Sequence, residues 1–150
     1  NLMLYKYIQS MGDLVRGIPS ISPVEHGFVS SPFGRRKDPF TGSIKLHTGI
    51  DIAHPSRIPV LAAAEGVVIQ SDWNEIYGNV VTINHAFSIS TRYAHLDKVY
   101  VKPGEWVDRG HIIGLLGNTG RSTHRHLHYE VRIEGKPVNP CYFLPDEEQG

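Results

Sequence analysis

Eight residues, His126-Leu127-His128-Tyr129-Glu130-Val131-Arg132-Ile133, alternate between two chemistries without a break. Successive side chains of a strand point to opposite faces. Leu127, Tyr129, Val131 and Ile133 therefore share one face, and His126, His128, Glu130 and Arg132 share the other. His124 extends the polar row upstream. The apolar row belongs on a core. The polar row faces either solvent or a polar cleft, and Glu130 and Arg132 are compatible with both.

The rest of the chain has the same texture. From residue 20 onward, Gly and Pro punctuate short β-rich runs: Val67-Val68-Ile69 after Gly66, Asn79 to Asn84 after Gly78, Ile89 to His95, and Ile112 to Leu116. Many short strands separated by turn signals imply an antiparallel sandwich or open barrel. Only residues 1–16 carry helical spacing, with Leu4, Tyr7, Ile8, Met11, Leu14 and Val15 as the apolar set, and Gly17 and Pro19 stop that helix. The expected organisation is a helical lead-in over 1–17, the end of a longer upstream region, and one β-rich domain over 18–150. The 150 residues suffice to bury a proper core. Lys+Arg and Asp+Glu balance at 15 each, so no basic surplus argues for nucleic acid. The single cysteine, Cys141, excludes an intramolecular disulfide and a Cys-based zinc knuckle. No signal peptide or membrane span is evident, and membrane association is expected only through a missing upstream region.

Nine histidines are many for this length. His126 and His128 sit two apart, which places their Cα atoms roughly 6.5 Å from each other in a strand. That suits two ligands of one metal, one ligand beside an acid/base group, or an exposed His-rich face. His47 and Asp51 would lie about 13 Å apart in a flat strand. A bend at Gly49 would bring them together, since a strand glycine often marks a bulge or a close backbone approach. Alternatively, the strand enters a turn and Asp51 is solvated. His95 lies in Tyr93-Ala94-His95-Leu96, and His26, His54, His85 and His111 read as structural.

The ordered set His47-x-Gly49-x-Asp51, Tyr93-Ala94-His95-Leu96 and His126-Leu127-His128 resembles the lysostaphin-type, or LytM-domain, zinc endopeptidases of peptidoglycan. Ser31-Pro32-Phe33-Gly34-Arg35-Arg36, Tyr77-Gly78-Asn79-Val80-Val81, Gly117-Asn118-Thr119-Gly120 and Pro137-Val138-Asn139-Pro140 extend the likeness to roughly residues 20–145. Where that family commonly has Gly-Pro before His-Leu-His, this chain has His124-Arg125, and Arg57-Ile58 replaces Gly-Thr before Pro59-Val60. The resemblance implies a mostly β fold, an antiparallel sheet forming a groove or open β-sandwich with a short N-terminal helix. It also implies one Zn2+ held by His47, Asp51 and His128, with His95 and His126 as catalytic histidines.

Two histidines and one carboxylate leave a tetrahedral zinc one open position. The resemblance further implies hydrolysis of amide bonds in peptidoglycan cross-links or stem peptides, outside the cytoplasm in periplasm or at the cell surface. Histidine serves as the acid/base group in that reading, because no H-E-x-x-H glutamate is present. The alternative is a catalytically inactive LytM-type binding module that activates other cell-wall hydrolases. A carrier-domain reading of Val101 to Gly110 fails because Lys98 stands in the wrong order for an attachment hairpin.

Overall fold

The structure, a computed structural model, describes residues 2–38, 40–120 and 125–145, without the side chains of Asp13 and Leu14. His124, which extends the polar row, lies outside the described residues. Among those residues, α1 (Leu2–Arg16) precedes thirteen strands: β1 (Phe28–Ser31), β2 (Gly34–Lys37), β3 (Ile44–His47), β4 (Ile50–Ala53), β5 (Pro59–Leu61), β6 (Gly66–Asn74), β7 (Gly78–Asn84), β8 (Ile89–Leu96), β9 (Lys98–Val99), β10 (Trp106–Val107), β11 (Ile112–Leu115), β12 (His126–Ile133) and β13 (Lys136–Val138). A short 3-10 turn over Pro140–Phe143 follows, capped by the Asn139 side chain.

The pairings are antiparallel throughout. The main sheet runs β1-β4-β12-β8-β7-β6-β10, with β13 also paired to β12. A smaller sheet, β5-β11-β9, packs its apolar side chains into the same core, and β2 and β3 form a separate two-stranded ribbon. The fold is thus mostly β with one N-terminal helix. Most apolar side chains of α1 stay exposed, Leu4, Tyr7 and Ile8 among them.

Strand β12 occupies the middle of the main sheet, between β4 and β8. Its apolar row is core: Leu127, Tyr129 and Val131 are fully buried, and the Tyr129 ring lies 5.5 Å from that of Tyr93. Burial of such side chains contributes roughly 1.5–3 kcal/mol each. The polar row is not solvated either, because His128 is buried and Glu130 has no exposed surface at all. The polar face of β12 therefore lines a cleft, and what that cleft holds follows from the strands beside it.

Candidate metal centre and active-site groove

Asp51 on β4 is the register partner of His128 on β12, and Ala53 is the partner of His126. Directly opposed residues of antiparallel strands present their side chains on the same face, about 4.5–5.5 Å apart. Register alone thus sets the Asp51 carboxylate beside the His128 imidazole. His47 arrives from the ribbon: β3 ends there, the chain bends through Thr48 and Gly49, and β4 starts at Ile50. The bend is tight because Gly49 lies against the backbone of β12. A Cβ at that position would sit 2.2 Å from the Tyr129 carbonyl oxygen and 2.9 Å from Glu130 Cγ. Glycine is required by this close approach.

The bend brings His47 Nε2 to 3.3 Å from Asp51 Oδ1, and His128 Nδ1 lies 3.2 Å from the same oxygen. One ligand atom from each of His47, Asp51 and His128 falls within a 4.8 Å cluster. The opposite ring nitrogens settle the tautomers. His47 Nδ1–H donates to the Pro32 carbonyl at 2.7 Å, and His128 Nε2–H donates to Glu130 Oε2 at 2.8 Å. In the neutral rings the remaining nitrogens, Nε2 of His47 and Nδ1 of His128, carry lone pairs aimed at a carboxylate oxygen. Three acceptors facing one point call for a cation between them. Two imidazoles and a carboxylate, with no thiolate, form a donor set that fits zinc and leaves a tetrahedral position open.

The charges around this point are consistent with a cation site. Burial pushes the Asp51 carboxyl up, but hydrogen bonds with His128 and His47 outweigh it and hold the carboxyl well below the usual range. Burial likewise opposes the His128 imidazolium, yet hydrogen bonds to Asp51 and Glu130 raise its pKa. Metal and proton therefore compete for His128 Nδ1.

Glu130 anchors the arrangement from behind, a role its sequence position did not disclose. Its Oε2 accepts from His128, from Thr48 Oγ1 at 2.9 Å and from Tyr77 OH at 3.3 Å. Its Oε1 accepts from Arg132 Nε at 2.8 Å and lies 3.6 Å from Arg92 Nη1. Burial would raise this carboxyl, but His128, Arg132 and Thr48 bring it down to about 2. The buried charge is thus balanced and its lone pairs are used, the condition for a buried carboxylate to be tolerated.

His95 on β8 and His126 on β12 lie beside this cluster. Their rings lie 5.2 Å apart, and the His95 ring is 6.2 Å from that of His128. His126 Nε2 is 3.9 Å from Asp51 Oδ1. His95 adopts a positive φ of 65° at the end of β8, a strained conformation for a non-glycine residue, of the kind that concentrates at functional sites. It is held by Nδ1–H donating to the Thr119 carbonyl at 2.6 Å and by its backbone N–H donating to Tyr77 O at 2.7 Å. Burial lowers its pKa, so the ring stays neutral with Nε2 as the acceptor.

All five candidate residues line one groove of about 810 Å3, walled by Phe28, Leu46, Ile76 and Tyr77. The histidines read as structural fall elsewhere. His85, for example, bridges the Glu65 carbonyl and Thr91 Oγ1 at 2.7 Å each.

Residues 45–140 match the model of peptidase family M23. The chain is 48% identical over 130 residues to the DD-carboxypeptidase/endopeptidase Mpg of Neisseria meningitidis, a match covering 86% of this chain and 30% of that protein. A zinc containing peptidase from Vibrio cholerae superposes with a TM-score of 0.74 at 39% identity, over 82% of this chain and 38% of the other. The catalytic domain of lysostaphin from Staphylococcus simulans superposes with a TM-score of 0.67 at 28% identity, over 76% of this chain and 89% of the other. The chain spans about 30% of the length of curated relatives such as Mpg. With a family model matched over more than half its length and a relative nearly half identical across most of it, this chain belongs to peptidase family M23.

Proposed function

We propose that this chain is the catalytic domain of a zinc-dependent endopeptidase that hydrolyses amide bonds of peptidoglycan cross-links or stem peptides. His47, Asp51 and His128 hold the zinc, and His95 and His126 are the acid/base pair. In this reading, residues 18–150 form the metallopeptidase domain and residues 1–17 its helical lead-in. The observation that carries the proposal is the pair of outward hydrogen bonds from His47 to Pro32 and from His128 to Glu130. They orient both imidazoles as acceptors toward Asp51, at the floor of a groove of about 810 Å3. Two relatives support the substrate class: Mpg is a DD-carboxypeptidase/endopeptidase and ShyC of Vibrio cholerae a peptidoglycan DD-endopeptidase. Such a substrate implies action outside the cytoplasm, in the periplasm or at the cell surface.

Lewis acidity, the chemistry that zinc supplies when bound, acidifies water and polarises an amide carbonyl. The chain's own residues do the rest. His95 is neutral at working pH because burial disfavours its imidazolium, and its Nε2 lone pair is available to take a proton from the attacking water. His126, ring-to-ring with His95 and on the same face as the ligands, completes the pair. One of the two accepts the water proton, and a proton passes to the leaving nitrogen as the C–N bond breaks. The Thr119 carbonyl fixes the His95 ring throughout. Tyr77, which donates to Glu130, forms the wall beside His128 at a ring separation of 5.9 Å.

Digestion of purified peptidoglycan, read by mass spectrometry with and without chelator, tests the reading. Release of separated stem peptides that stops with chelator and resumes on adding zinc is the expected result. Binding of peptidoglycan without any released fragment, or cleavage indifferent to chelator, would overturn it.

A further inference from the structure

Arg36 is the one lysine or arginine among the described residues that line the groove. It lies on β2, in the ribbon that delivers His47, and its Nη1 donates to Ser31 Oγ. Ser31 is the register partner of Asp51, so the guanidinium is anchored one strand away from the candidate metal ligand. Across the sheet the order is Ser31 on β1, Asp51 on β4, His126 and His128 on β12, and His95 on β8. Ser31, which anchors Arg36, and His95 therefore stand on opposite sides of Asp51 and His128 in the sheet.

Several other cations have carboxylates of their own. Lys45 pairs with Asp38 at 3.1 Å, Arg57 pairs with Asp97, and Arg92 and Arg132 share Glu130. Arg36 pairs with no carboxylate among the described residues, and it is exposed to the groove. The one carboxylate among the described residues of the groove lining, Asp51, is already engaged by His47 and His128. A guanidinium presents five N–H donors in a planar fork that matches a carboxylate in two parallel hydrogen bonds. Ser31 takes up only one direction of that fork.

We propose that Arg36 is a specificity-determining residue that receives a free carboxylate of the substrate, so that the preferred substrate is an acidic peptide. The inference rests on the endopeptidase reading and adds the chemistry of the residues beside the scissile amide. One strand spacing of about 4.8 Å separates β1 from β4. At about 3.3–3.6 Å per extended residue, a peptide whose scissile amide sits at Asp51 reaches the guanidinium within about two residues. The carboxylate thus belongs to a residue next to the cleaved bond or one beyond it.

The test compares two cross-linked stem-peptide dimers, one with free carboxylates beside the scissile amide and one with those groups converted to carboxamides. The wild-type protein is expected to prefer the free acid. Arg36→Ala should raise KM for the free acid about 10- to 100-fold, the range of a charge-assisted hydrogen bond, with kcat, zinc content and the carboxamide reaction little changed. Arg36→Lys, which keeps the charge and loses the fork, should fall between them. Equal wild-type rates on both dimers, or an equal loss on both in Arg36→Ala, would overturn the inference while leaving the endopeptidase reading standing. Wild-type protein that cleaves neither dimer would overturn that reading, and this inference with it.

Discussion

Replacing Glu130 by glutamine keeps the side-chain shape and removes the property the site depends on. The carboxylate only accepts, and it takes hydrogen bonds from His128, Thr48 and Tyr77 on one oxygen and from Arg132 on the other. An amide has one accepting oxygen and one donating nitrogen, so one side of this buried group must meet N–H with N–H. If the oxygen stays with Arg132, the amide nitrogen drives His128 into the other tautomer, and Nδ1 carries a proton where a metal needs a lone pair. If the oxygen stays with His128, the Arg132 contact is lost and the carboxylate charge that raises the basicity of His128 is gone. Partners of metal-bound histidines contribute about 10- to 100-fold in metal affinity, or about 1.4–2.7 kcal/mol. Glu130→Gln should weaken zinc binding by that factor in a competition titration against a chromophoric chelator. It should also destabilise the zinc-free fold, by less than the about 3–5 kcal/mol of a fully buried pair, because the two arginine side chains are 24% exposed. Urea unfolding without zinc separates that loss from the affinity change. A variant with wild-type zinc affinity would refute the argument that Glu130 sets the His128 tautomer.

Two further outcomes follow from single contacts. Gly49→Ala forces a Cβ into the Tyr129 carbonyl, and overpacking of this kind costs about 1–3 kcal/mol or more. Urea unfolding should show at least that loss, together with weaker zinc binding as His47 and Asp51 move apart. His85 is half-buried with both ring nitrogens engaged, and desolvation lowers its pKa from the ordinary value of about 6.5. The unfolded chain then binds the proton more readily than the folded one. His85 therefore contributes stability in full above about pH 6.5 and loses it as pH falls below that value, at a slope of at most about 1.4 kcal/mol per pH unit. Unfolding curves of zinc-free wild type and His85→Gln between pH 7.5 and 5 should diverge at the high end and converge at the low end; parallel curves would contradict the assignment.

Strand β12 was legible because its two rows differ in chemistry, and β6, β7 and β8 because each carries apolar side chains at strand spacing between turn residues. Strand β2 was not: Gly34-Arg35-Arg36-Lys37 has no apolar row, since the ribbon stands at the groove edge and buries little. Strand β13, Lys136–Val138, is too short to show a period. The bend at Gly49 could be raised from sequence but not decided, because what forces it is the backbone of Tyr129, 80 positions away. Glu130 could be placed on the polar face and no further, since Thr48, Tyr77 and Arg92 come from other parts of the chain. Pro32 and Thr119 act through backbone carbonyls, and a carbonyl leaves no mark in a sequence.

Zinc stoichiometry, measured by mass spectrometry of the metal on five single variants and paired with turnover on peptidoglycan, tests the central assignment most directly. His47→Ala, Asp51→Ala and His128→Ala should each lose the bound zinc and all hydrolysis. His95→Ala and His126→Ala should keep it at the wild-type level while turnover falls about 10²- to 10⁴-fold. Full zinc and full turnover in His128→Ala would contradict the account.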